Sequence, residues 1–181
     1  MSTQSIGIEL EEVKDEIVIT REPDEAIVIL FDASSSMNSR YEASIEVSDS
    51  TQRLSRLMAT KSFFKAFADR TQAYNFKHVL SLVIFSNSIE VKCNFTEFFK
   101  SFKYHVDKIS STKGTRLYDA IEKATEMLNK FTTERYPRVL KRIICLTDGE
   151  DAGSINAPLP VLRKLVNSNI LVDSFIAGGK S

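Results

Sequence analysis

The sequence predicts an α/β fold: a three-layer, doubly wound, mostly parallel sheet with one antiparallel edge strand and helices on both faces. Three observations predict it. Apolar runs of strand length recur at residues 26–31, 79–85, 139–146 and 170–177. Segments with apolar residues at helical spacing lie between them, the pattern of strand–helix–strand crossovers. The run at 79–85 is nearly continuous rather than alternating, as expected of a strand covered on both faces.

Taken in order, residues 1–25 form an acidic, weakly patterned segment in which Glu16-Ile17-Val18-Ile19-Thr20 could add an edge strand, and Pro23 marks the entry to the domain. Ala26-Ile27-Val28-Ile29-Leu30-Phe31 is the first core strand. A polar stretch follows, and then Leu54, Leu57, Met58, Phe64, Phe67 and Ala68 return on one helical face. Residues 79–85 form a strand that Ser86-Asn87-Ser88 turns back into the alternating Ile89, Val91 and Cys93, an antiparallel edge. Phe95, Phe98, Phe99, Phe102, Val106 and Ile109 lie at helical spacing, as do Leu117, Ala120, Ile121, Ala124, Leu128 and Phe131. The aromatic stripe reads as packing. Residues 139–146 form another buried strand. Leu159, Leu162, Leu165 and Val166 mark a short helix opened by Pro158 and Pro160, and residues 170–177 a last strand.

At 181 residues and 43% hydrophobic content, the chain can bury one substantial core, so residues 26–181 are read as a single domain. Twenty-four acidic residues balance twenty-four Lys and Arg, which leaves no basic field to concentrate nucleic acid or an anionic membrane surface. No apolar run approaches the roughly 20 residues of a membrane span, and Met1 to Glu16 lacks the pattern of a secretory signal. Two cysteines, Cys93 and Cys145, make no disulfide framework and read as small buried residues. An intracellular, cytoplasmic setting is expected.

The chemistry concentrates where strands end. Asp32-Ala33-Ser34-Ser35-Ser36 follows the first core strand, so one carboxylate and two alternate hydroxyls leave it together. Thr115, in Lys113-Gly114-Thr115-Arg116, and Asp148, in Leu146-Thr147-Asp148-Gly149, recur at later polar breaks. In a doubly wound sheet the carboxyl ends of the strands share one rim, where ligands bind. Such residues also make turns and helix caps. Five oxygen donors at one rim suit a hard cation, Mg2+ or alternatively Mn2+ or Ca2+. Only Asp32 and Asp148 carry charge, so a divalent ion is roughly neutralised and still attracts an outside Glu or Asp side chain.

These residues, Asp-x-Ser-x-Ser after the first strand, Gly-Thr before a helix and Thr-Asp-Gly after a later strand, resemble the von Willebrand factor type A domain with its metal-ion-dependent adhesion site. The resemblance implies a Rossmann-like fold and a cation-dependent protein-binding module whose partner contributes a Glu or Asp. It implies that Ser34 and Ser36 bind the ion directly, that Asp32 and Asp148 act directly or through water, and that Thr115 joins or leaves with ligand state. Asn38 and Ser39 stand where integrin-type members carry a pair of acids for a second ion, so one metal is expected. Members usually continue with another helix and strand beyond the region of Ala177, so the expectation is either that the chain is a piece of a longer protein or that an edge strand is absent.

The stretch from Asn38 to Asp49 either selects the partner, with Arg40, Tyr41 and Glu42 as contacts, or is an insertion without a role. Glu150 and Asp151 read as a solvated acidic loop. His78 and His105 read as ordinary surface or helix residues away from the rim, and no phosphate loop or second metal cluster is legible, so the chain is read as a binding module rather than an enzyme. The alternative is a metal-independent scaffold domain of a larger intracellular protein. Phe67-Ala68-Asp69-Arg70-Thr71 through Phe76-Lys77-His78-Val79 resembles the corresponding stretch of protist proteins that pair this domain with ubiquitin-conjugating modules.

Overall fold

The computed structural model describes residues 19–39, 54–148 and 151–177. Five strands form one sheet: β1 (Glu25–Asp32), β2 (His78–Phe85), β3 (Ile89–Thr96), β4 (Leu140–Thr147) and β5 (Ile170–Ile176), in the order β3-β2-β1-β4-β5. All neighbours are parallel except β2 and β3, which form a hairpin with irregular register. The predicted architecture is therefore the observed one. Among the described residues four α-helices complete it: α1 (Arg56–Ala73), α2 (Phe99–Asp107), α3 (Leu117–Glu134) and α4 (Pro158–Asn167).

β1 is buried along its whole length, and its period-2 alternation divides the core. Ala26, Val28 and Leu30 pack with Ala120, Ala124, Leu128 and Phe131 of α3 and Val161 and Leu165 of α4. Ile27, Ile29 and Phe31 pack with Phe64 and Ala68 of α1 and Phe99, Phe102 and Val106 of α2. Burying a side chain of this size stabilises by roughly 1.5–3 kcal/mol, so the two clusters fix a helix layer on each face.

Several sequence expectations change in detail. Phe95 belongs to β3, where it packs against Phe131 with ring centroids 4.4 Å apart; a strand residue next to a helix start mimics helical spacing. On α1 the buried stripe is Thr60, Phe64, Ala68 and Thr71, while Met58 is exposed. Thr71 is tolerated there because its hydroxyl donates to the Phe67 carbonyl at 2.9 Å. On α4 Val161 and Leu165 face inward, and Leu159, Leu162 and Val166 are exposed. The i, i+4 pair is what reaches the core. Leu171, Val172, Phe175 and Ile176 on the outer strand β5 are exposed as well.

Of the proposed N-terminal edge strand, only Ile19 and Thr20 lie within the described residues; they form no strand, and Thr20 donates to Glu97 Oε1 from both its amide and its hydroxyl. Arg40, Tyr41 and Glu42 lie outside the described residues, as does Glu150. No helix among the described residues is long and apolar enough to cross a membrane.

Candidate functional site

Chain connections after β1 and β4 diverge: the chain leaves β1 toward β2 on one side, and leaves β4 toward β5 on the other. The two strands are neighbours, with Phe31 opposite Leu146, so Asp32 and Asp148 emerge side by side at a topological switch point. This adjacency brings together acids separated by more than a hundred residues.

Asp32 is completely buried. Its Oδ1 accepts the Ser34 amide at 2.8 Å and its Oδ2 accepts the Thr147 hydroxyl at 2.5 Å. Burial pushes its carboxyl above the ordinary value of 3.8, outweighing the hydrogen bonds from Ser34 and Thr147, and the charge of Asp148 pushes the same way. A short 3-10 turn, Ser35–Asn38, follows. It carries Ser36 back toward the rim. The Ser34 and Ser36 hydroxyls lie 2.9 Å apart, and Ser36 Oγ donates to Asp148 Oδ1 at 2.8 Å. Because the Ser36 proton is committed to Asp148, Ser34 is the donor to Ser36.

Thr115 pairs through its backbone with Ala152, on a loop held beside this group. Its loop is stitched to every neighbour: Thr112 N–H donates to the Ala33 carbonyl at 2.6 Å, Asn87 N–H to Lys113 at 2.8 Å, Arg116 N–H to Ser86 at 2.9 Å, and Ala152 N–H to Thr115 at 2.8 Å. Gly114 makes the turn possible. Its φ of +86° favours glycine, and a Cβ there would stand 2.9 Å from the backbone N and Cα of Asn87. Thr115 itself is buried beside Ala152.

The structure thus gathers Asp32, Ser34, Ser36 and Asp148 into one hydrogen-bonded chain and holds the Thr115 loop against it. Asp151 corrects the solvated-loop expectation. Its Oδ1 accepts the Leu117 amide at 2.8 Å, and Ser154 Oγ, bonded to the same carboxylate, accepts Tyr118 N–H at 3.0 Å. Asp151 therefore caps α3, whose N-cap residue Arg116 offers no side-chain bond. Asp119, in the first turn, also went unread. Burial would raise its carboxyl, but the amides of Ile155 and Asn156, with Arg116 and the Asn156 side chain, hold it below the ordinary value. These two acids fasten the loop after β4 to α3.

Sequence reasoning also missed Arg56, whose guanidinium lies 2.7 Å from Asp148 Oδ2. A lone arginine twenty residues beyond the serines carries no spacing signal. His78 is partly buried rather than a surface residue, and it stands at the far end of β2 opposite Glu25, with its Nε2 3.4 Å from that carboxylate. At about 3.3 Å per residue, the length of the strand separates it from the rim. Cys145 is buried, and its thiol is pushed up to about 12 by burial.

Among the described residues, no group of three or more His, Cys, Asp or Glu side chains is arranged so that it could hold a metal ion by itself. Any cation at this rim would therefore depend on hydroxyls beside two carboxylates. That donor set fits a hard ion that keeps part of its water shell. A desolvated Asp32 carboxylate is also the kind of group that an added positive charge stabilises.

Comparison with known proteins bears on this geometry. The family model described as von Willebrand factor type A domain matches residues 26–175. A protein of Acanthamoeba polyphaga mimivirus named "Probable bifunctional E2/E3 enzyme" is 31% identical over 128 residues, which is 69% of this chain and 10% of the viral protein. Among solved structures, BatB from Bacteroides thetaiotaomicron superimposes with a TM-score of 0.62 at 23% identity, covering 83% of this chain and 65% of that one. A von Willebrand factor type A structure from Catenulispora acidiphila gives 0.59 at 20% identity, covering 84% and 33%. At these identities the structural likeness establishes the fold.

Proposed function

Because the chain belongs to the von Willebrand factor type A family, whose domains are in general protein-interaction modules, we propose that it binds a protein partner through a divalent cation held at the β1–β4 rim. Ser34 and Ser36 would supply hydroxyl oxygens, Asp148 a carboxylate oxygen, and Thr115 a hydroxyl from the facing loop. Asp32, with both oxygens already accepting hydrogen bonds, would act by orienting Ser34 and through water. The ion would supply a site for one further oxygen, from a Glu or Asp of the partner. The observation that carries this reading is the hydrogen-bonded chain from Ser34 through Ser36 to Asp148. Magnesium is the first choice, with manganese and calcium compatible with the same oxygens.

This reading makes the protein a binding module and not a catalyst. His78, at the other end of its strand, is no general base for the rim. Titration calorimetry tests the metal. Asp32→Ala and Asp148→Ala are expected to abolish magnesium uptake, and Thr115→Ala to spare much of it while weakening partner capture more. Unchanged magnesium affinity in both aspartate variants refutes the assignment.

A second reading is favoured by the viral relative. The chain spans about a tenth of a protein named for E2 and E3 activities, so the domain would serve as a scaffold in a larger ubiquitin-pathway protein, acting through metal-independent surfaces. Partner capture that is equal with and without chelator, and equal in Asp32→Ala, selects this reading over the first.

A further inference from the structure

We infer that Arg56 is a resident counter-cation for Asp148 which a divalent ion must displace, so that its guanidinium sets the cation affinity of the site. The inference rests on the metal reading above and adds to it a residue and a direction of control.

Arg56 is the first residue of α1. Its amide donates to the Ser39 carbonyl at 2.9 Å, and the Ser39 amide to the Ser36 carbonyl at 2.9 Å, so the helix start is tied to the serine loop itself. From there Nη1 reaches Asp148 Oδ2 at 2.7 Å. The Asp148 side chain is only 1% exposed, and its other oxygen accepts Ser36 Oγ. Both carboxylate oxygens are therefore engaged. An incoming ion has to release one of them.

Two features say that the guanidinium is there for Asp148 rather than for the helix. A cation in the first turn of a helix opposes the macrodipole, which favours negative charge at that end. Its position is offset by the contact with the carboxylate. The hold is also incomplete, because Arg56 Nε is buried with no hydrogen-bond partner among the described residues, a group that regains water if the side chain swings out.

Charge bookkeeping gives the direction. Asp32 and Asp148 balance one divalent ion; with the guanidinium still in place, a positive charge is left over beside it. Metal and Arg56 therefore compete for Asp148. A long side chain that is 22% exposed can move outward while its backbone stays fixed.

The test is magnesium titration calorimetry on the wild type, Arg56→Gln and Arg56→Lys, with urea unfolding of each in chelator. Arg56→Gln is expected to bind magnesium roughly tenfold more tightly, the lower end of what a hydrogen bond to a charged group contributes once partial exposure is allowed for. Arg56→Lys retains the charge without the planar fork and is expected to fall between them, which keeps the test open should the Gln variant fold poorly. In chelator the order reverses, with Arg56→Gln unfolding at lower urea because Asp148 is left buried and unpaired. Magnesium uptake by the wild type with equal or weaker affinity in both variants overturns the displacement while sparing the metal reading. No uptake by any of the chains overturns both.

Discussion

Replacing Asp32 by Asn should make the metal-free protein more stable and the magnesium-treated protein comparatively less so. The amide oxygen keeps the bond from Ser34 N–H, and the amide nitrogen can donate to Thr147 Oγ1, which now accepts. The difference is the charge. Removing a carboxylate from water costs several kcal/mol, and two hydrogen bonds to a charged acceptor return roughly 1.5–3 kcal/mol each. The upward displacement of the Asp32 pKa says that burial prevails. Two nearly cancelling terms leave on the order of 1 kcal/mol in favour of the neutral isostere, or about 2–4 °C in Tm for a domain of this size. A ligand that binds only the folded state at about a hundred times its Kd adds about 2.7 kcal/mol. The wild type should gain that from magnesium and Asp32→Asn almost nothing, so the order of stability inverts. Urea unfolding of both chains, in chelator and in saturating magnesium, reads all four values. A variant less stable than the wild type in chelator, or equal gains from magnesium, would refute the reasoning.

Three further outcomes follow from the geometry. Gly114→Ala combines a left-handed backbone with a Cβ set against the Asn87 backbone, so it should destabilise by about 2–3 kcal/mol and weaken magnesium binding with it; a change below about 0.5 kcal/mol by urea unfolding contradicts the turn as described. Cys145, with its thiol pushed up to about 12 and its side chain buried, should resist iodoacetamide in the native protein and react once urea unfolds it; labelling of the folded chain at Cys145 would show the strand to be open. Burial lowers His78 below its ordinary value of 6.5 despite the nearby Glu25 and Asp24. The unfolded chain therefore binds that proton at higher pH than the folded one. His78 accordingly favours folding fully above the ordinary value, and its contribution declines as pH falls from there through the lower folded value. His78→Gln should flatten this part of a stability-against-pH curve, and an unchanged slope would exclude the assignment.

Much of the fold was legible because its determinants are local. Residues 26–31 are apolar without interruption and 79–85 nearly so, as a strand covered on both sides requires, and the alternation at Ile89, Val91 and Cys93 marked the antiparallel edge. The helix faces were less legible. Met58, Leu159 and Leu162 are apolar yet exposed, because an apolar residue beside the buried stripe looks the same in sequence as one within it. Phe95 was misplaced for a related reason: where a strand meets a helix, periods of two and of three or four overlap.

The candidate site divides in the same way. The chain alone determined which oxygen-bearing residues leave the strand ends, since Asp32, Ser34, Ser36, Thr115 and Asp148 each follow an apolar run or a turn whose chemistry is written in its neighbours. Tertiary structure decided the rest. It placed β1 beside β4 so that Asp32 and Asp148 share a rim, set Thr147 against the buried carboxylate, turned Asp151 from a loop acid into the cap of α3, and brought Arg56 onto Asp148. Pairings across the sheet order depend on which strands become neighbours, and that is settled by burying β1 from both faces at once, an energy belonging to the whole core and to no single stretch of chain.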